Sequence, residues 1–88
     1  MSQEDIDRLV EERSLARAEF DDEDVVAFWH KAAASYADAH ISGISSDGAF
    51  QRAYTAALQA TITVLAAHGL RVKSTANHYT AFYALQKL

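Results

Sequence analysis

The 88-residue chain is long enough for one domain, which at this size buries only about 60–65% of the surface of its unfolded chain. Half of the residues are apolar, none is proline and three are glycine, a composition that favours helices over a turn-rich all-β fold. The absence of cysteine excludes disulfides, thiol catalysis and zinc–thiolate sites.

The net charge of −4 is unevenly distributed along the chain. Residues 1–24 carry ten acidic residues against three arginines, a balance of −7, whereas residues 25–88 have a balance of +3. Any attraction for phosphate would therefore come from the second part, and no basic stripe typical of dedicated nucleic-acid binders is present. The polar, acidic N-terminus and the short apolar stretches predict a cytoplasmic protein without a leader peptide or a membrane span.

Apolar spacing predicts four helices. The first covers roughly residues 3–18, with acids in its first turn, and its thin apolar stripe predicts loose packing. The run Asp21-Asp22-Glu23-Asp24 supplies carboxylates for the N-cap and first turn of a second helix over residues 24–41. That helix has a broad apolar face, and Trp29 on this face is expected to pack in the core.

A third helix is predicted over residues 49–68, after a loop at 42–48 that is rich in turn formers. Gly69 follows the long periodic stretch, so we expect it to adopt the left-handed conformation that ends helices. Residues 70–73 alternate apolar and basic side chains and cannot form a sheet alone, which predicts an extended connector. The last helix is predicted over residues 76–87.

The four histidines do not have the spacing of a metal site. His30 and His40 are ten residues apart on one predicted helix, so they point nearly a right angle apart. We expect both to be partly exposed and hydrogen-bonded to backbone or water. His68, in the last turn of its helix, complements the helix dipole. No metal and no other cofactor is predicted.

The predicted connector and the helix after it hold the candidate functional residues. Two cations, a capping hydroxyl and the free N–H groups of a helix start would all favour a phosphate there. His78 would act as general base or acid, and Arg71 would stabilise charge on phosphorus, a pairing that supports metal-free RNA cleavage. The alternative is a solvated basic loop with His78 packed at the helix start. The candidate catalytic residues are Arg71 and His78, and the candidate phosphate- or substrate-binding residues are Lys73, Ser74 and Asn77.

An alanine-rich stretch at 53–60, an apolar stretch at 63–67 and the run His68-Gly69-Leu70-Arg71-Val72-Lys73-Ser74 resemble the HEPN superfamily of nucleotide-binding helical proteins, over residues 24–88. The resemblance implies an all-α, up-down four-helix bundle that dimerises. Within the single domain that the length predicts over residues 1–88, an acidic helix at 1–20 then precedes the HEPN-like core at 24–88. In its ribonuclease members the Arg–His motifs of the two protomers face each other across the dimer cleft. Arg71 and His78 meet the usual spacing at its upper limit, although Val72 replaces a polar residue.

Two functional hypotheses follow. The first is a homodimer that binds a nucleotide or RNA phosphate through Arg71, Lys73 and His78, with weak metal-independent ribonuclease activity. The second is a non-catalytic helical interaction module, antitoxin-like or a dimeric scaffold. In it the acidic first helix docks on a protein partner or masks the basic connector, and exposed aromatic residues such as Trp29 contact protein.

Overall fold

The computed structural model describes residues 3–73 and 78–88, with every side chain in these ranges except that of His78. The described chain is mostly helical, as its composition predicts, and the four expected helices are present. A small two-stranded sheet accompanies them. In chain order the elements are α1 (Gln3–Glu11), β1 (Leu15–Arg17), α2 (Asp22–Asp38), α3 (Ser46–Ala67), β2 (Leu70–Val72) and α4 (His78–Gln86).

Helix α1 is shorter than the helix predicted over residues 3–18. It ends in a Schellman motif, in which Ser14 N–H donates to the carbonyl of Leu9 (3.0 Å) and Arg13 N–H to that of Val10 (3.1 Å). Arg13 holds the left-handed position of this motif, with φ of 64°. No glycine marks the stop, so the sequence pattern runs through it without a visible break.

Residues 70–73, predicted to be an unpaired extended connector, mostly form a paired β-strand. β2 pairs antiparallel with β1, placing Arg71 opposite Ala16. Two further backbone hydrogen bonds extend the ladder, from Ala18 N–H to the Gly69 carbonyl (2.9 Å) and from Lys73 N–H to the Ser14 carbonyl (3.1 Å). The strand could not form alone, and its partner comes from a segment predicted to be helical.

Helix α2 begins at Asp22, inside the acidic run and two residues before the predicted start. Asp21 is the N-cap: its carboxylate accepts from Asp24 N–H (2.8 Å), and the Asp24 carboxylate accepts from Asp21 N–H (3.2 Å). This reciprocal capping box satisfies two backbone donors that the helix itself leaves free. The helix ends at Asp38, three residues before the predicted end.

Helix α3 is capped by Ser45, whose hydroxyl accepts from Gly48 N–H (3.0 Å), so it starts three residues earlier than predicted. Its predicted stop is confirmed, since Gly69 has φ of +72°. Helix α4 begins at His78 within the described residues, and the predicted start at residue 76 lies outside them.

Helices α2 and α3 pack against each other as an antiparallel hairpin. Ser35 Oγ donates to Gln59 Oε1 (2.7 Å), while Arg52, earlier on α3, pairs with Asp38, later on α2 (3.9 Å). Contacts that run in opposite directions along the two helices define this arrangement. We call α2 and α3 together the helical hairpin.

The main hydrophobic core lies at one end of the molecule, where α1, the small sheet and α4 meet the second half of α3. Leu15 and Leu65 are its largest fully buried side chains. The thin stripe of α1 is therefore packed in the core rather than loosely, through Ile6 and Leu9. Helix α2 buries only Ala32, outside this cluster. The core residues are Ile6, Leu9, Leu15, Leu65, Leu70, Ala81 and Ala84.

Candidate functional site

Arg71 and Lys73 lie on or beside the small sheet. Arg71 is the central residue of β2, and its side chain is exposed. Lys73 follows the strand directly and is half-buried, with its backbone fixed by the bond to Ser14. Alternate residues of an extended chain point to the same side, so Arg71 and Lys73 share one side of the ladder. The pairing with β1 thus positions two of the predicted phosphate-binding cations.

The other predicted residues of this site cannot be placed beside them. Ser74 and Asn77 lie outside the described residues, as does the side chain of His78. His78 itself is the first residue of α4. The convergence of Arg71 and His78 on one phosphate stays a prediction.

The surroundings of Arg71 combine charge with an aromatic wall. Among the described residues, no carboxylate lies within ion-pair distance of its guanidinium. Arg71 lines a cleft of 160 Å³ together with Phe20, Phe28 and Ile62. The two phenylalanine rings meet edge to face, with centroids 5.6 Å apart. Such a cleft offers an apolar surface next to a cation that has no acidic partner in the described chain.

The histidines show no metal-binding arrangement in the described part of the chain, where no cluster of three or more His, Asp and Glu ligands occurs. His30, His40 and His68 are all exposed. His40 Nδ1 lies 2.9 Å from the carbonyl oxygen of Tyr36, a local contact within the end of α2. The predicted backbone contact is therefore found for His40.

A second candidate site is a groove along the helical hairpin, of which the sequence analysis named only Trp29 as a contact residue. Trp29 and Tyr36 of α2 stand beside a floor of alanines from both helices and enclose 580 Å³. Trp29 is 56% exposed and Tyr36 is 62% exposed, so the expectation that Trp29 packs in the core is wrong. We call this the alanine groove; its lining residues are Trp29, Ala32, Ala33, Tyr36, Ala53, Ala56, Ala57 and Ala60.

The alanine groove contains no charged side chain, and its only polar groups are the indole N–H and the phenol. The sequence carried a signal for it, namely the many alanines of both helices at helical spacing. Small side chains at this spacing also allow two helices to approach closely. Only some of these alanines serve close helix packing, because Ala32 and Ala56 are buried between the helices while Ala33 and Ala57 are exposed.

None of the helices in the described ranges is long and apolar enough to cross a membrane.

Comparisons with protein-family models, with curated proteins and with solved structures each find no match to this chain.

Proposed function

We propose that this protein is a cytoplasmic helical protein–protein interaction module that works through the exposed face of the helical hairpin. The observation that carries the proposal is the alanine groove. Exposed tryptophan, tyrosine and alanine side chains there line one apolar groove that has no charged residue. Surfaces of this kind in water mark sites of association.

One part of the sequence hypothesis has exposed aromatic residues such as Trp29 contact the partner, and this proposal keeps that part. The other part assigned docking to the first helix, but the apolar side chains of α1, Ile6 and Leu9, are buried in the core. The polar side of α1 is occupied in part as well, since Asp7 pairs with Arg17 of β1. Most of the large exposed apolar side chains lie on α2 and α3 instead, Trp29 among them.

Site-specific photo-crosslinking in the native host tests this proposal. A benzophenone amino acid replacing Trp29 is expected to capture a protein, whether a second copy or a different chain. The same amino acid at Ala34, which is exposed on the other side of α2, is the matched control and is expected to give no product. Equal products from both positions, or none from position 29, would contradict the interaction module.

A second function is proposed for the β2–α4 segment, namely binding of a nucleotide or RNA phosphate in a HEPN-like up-down bundle. Its support is the exposed Arg71 beside the cleft of Phe20 and Phe28, because a nucleotide needs a cation for its phosphate and an apolar surface for its base. Lys73 adds positive charge on the same side of the strand. In this proposal His78 moves the proton during metal-independent cleavage, and Ser74 and Asn77 orient the substrate.

Two assays test this second function. Incubation of RNA in EDTA with wild type and with His78→Ala is expected to show cleavage by wild type alone. A nucleotide titration is expected to show binding that Arg71→Ala abolishes and that Arg52→Ala leaves unchanged, since Arg52 is an exposed arginine away from β2. Equal cleavage by both proteins removes the ribonuclease role, and equal affinity in both arginine variants removes the phosphate site.

A further inference from the structure

Helix α2 carries a regular apolar stripe on its exposed side. The stripe residues are spaced by three, four and three positions, which is the a/d spacing of helices that pack side by side. All four are exposed, and the three large ones keep about half or more of their surface in contact with water. They are Val26, Trp29, Ala33 and Tyr36.

Helix α3 carries a matching stripe that borders the same groove. Its spacing is three, four, three and four, again the a/d pattern. The large residues stand at its ends, with Phe50 70% exposed and Val64 39% exposed. Its middle consists of small residues, Ala53, Ala57 and Ala60.

The two stripes are complementary in size. The α2 stripe projects Trp29 and Tyr36, on either side of Ala33, whereas the middle of the α3 stripe is a hollow floored by alanines. A projection and a hollow on one face are what a two-fold interface needs, because each copy then supplies the projection for the hollow of the other. A partner of unrelated sequence would not require both features on the same face.

We propose that the occupant of the alanine groove is a second copy of this chain, with α2 of each copy packed on α3 of its partner to form a four-helix bundle from two helical hairpins. This inference rests on the proposed interaction function and names its partner. Trp29 and Tyr36 then lie over the alanines of the partner and lose their contact with water. Large side chains over small ones allow the helices to pack at ordinary interhelical distances.

The solvent-exposed area of the chain is large enough for an interface of standard size. A compact monomer of 9.7 kDa is expected to expose about 5,100 Å². This chain exposes 6011 Å². The difference, about 900 Å², includes surface outside the two stripes, such as Tyr79, and is of the same order as the roughly 800 Å² that each partner buries in a standard interface.

The charge distribution also permits self-association. Two copies with a net charge of −4 repel each other, and the acidic first turn of α2, Asp22–Asp24, lies directly before Val26. The rest of each stripe lies beyond this turn. The stripes themselves contain no charged residue. Pairing them therefore buries no unpaired charge, which would otherwise oppose a dimer.

Sedimentation equilibrium on the purified full chain tests the second copy directly. Wild type is expected to sediment as a dimer at about 10 μM, within the affinity range of interfaces of this area. Ala57→Arg places a charged side chain in the hollow and is expected to raise the dissociation constant at least tenfold. Ala34→Arg makes the same change on the outer side of α2 and is expected to sediment like wild type. Because Ala57 and Ala34 are both exposed helix positions, both variants are expected to keep the helical circular dichroism spectrum of wild type.

Tyr36→Arg, which removes a projection instead of filling the hollow, guards against a folding defect specific to Ala57→Arg. Two results would overturn the inference. One is a wild-type chain that is monomeric at every concentration, and the other is that Ala57→Arg and Tyr36→Arg both form dimers as stable as those of wild type. Cross-linking separates the two proposals: a monomeric chain that captures a different protein from position 29 keeps the interaction function and refutes the second copy. A monomeric chain with no product from position 29 refutes both.

Discussion

Two regions of the molecule bury their apolar residues to very different extents. In the core, α1, the small sheet and α4 enclose Leu15 and Leu65 almost completely. On the outer face of the helical hairpin, Trp29 and Tyr36 are in contact with water. A single chain thus completes only one of its two apolar surfaces. The second surface is where we expect association.

The largest effect on stability should come from a substitution in the hydrophobic core. Leu65→Ala, at a side chain only 1% exposed, is expected to lower the free energy of unfolding by about 3 kcal/mol through lost contacts and a residual cavity. Tyr36→Ala, on the exposed face, is expected to change it by less than about 0.5 kcal/mol. Both are measured by urea unfolding in the Ala57→Arg background, so that dimerisation does not contribute. Comparable losses would show that the hairpin face is packed within one chain.

A pair of glycine variants compares the junction of α3 and β2 with the turn at the other end of α3. Gly69 and Gly43 have φ of +72° and +86°, and alanine at either position would be strained. A Cβ at position 69 would in addition lie 3.3 Å from the carbonyl oxygen of Ala18, whereas position 43 is open. We expect Gly69→Ala to cost about 2 kcal/mol and Gly43→Ala about 1 kcal/mol in urea unfolding. A larger loss of stability in Gly43→Ala than in Gly69→Ala would contradict the conclusion that the small sheet is an ordered part of the hydrophobic core.

The smallest of these effects on stability is expected at the N-terminus of α2. Asp21→Ala removes the N-cap of α2 and should cost about 1 kcal/mol, because it leaves the Asp24 N–H without its acceptor. Asp22→Ala removes a neighbouring exposed carboxylate that caps nothing and serves as the control, with a change within about 0.5 kcal/mol. Thermal unfolding of both variants checks this, and equal shifts would count against the capping box.

Local signals in the sequence predicted the fold well where they were present. The acidic run predicts the start of α2, and Gly69 predicts the end of α3, because caps depend on a few neighbouring residues. The β1–β2 ladder was missed because it joins residues far apart in the chain. The end of α1 was missed because Arg13 takes a conformation that glycine usually signals.

The candidate sites were predictable to a different degree. Arg71 and Lys73 could be chosen from residue type and order, and the strand adds a defined position for them. The alanine groove could not be chosen, since periodicity shows which residues share a face of a helix but not whether another element covers that face. Trp29 illustrates this, because its apolar neighbours are equally compatible with a core and with an interface.

The fluorescence of Trp29 tests most directly whether a second copy covers the alanine groove, because this residue is the only tryptophan of the chain. In a dimer its indole leaves water, so at high concentration the emission maximum of wild type should lie at shorter wavelength than that of Ala57→Arg. Dilution should move the wild-type maximum towards that of the variant, and Ala34→Arg should follow wild type. Identical emission from wild type and Ala57→Arg at every concentration would contradict the account.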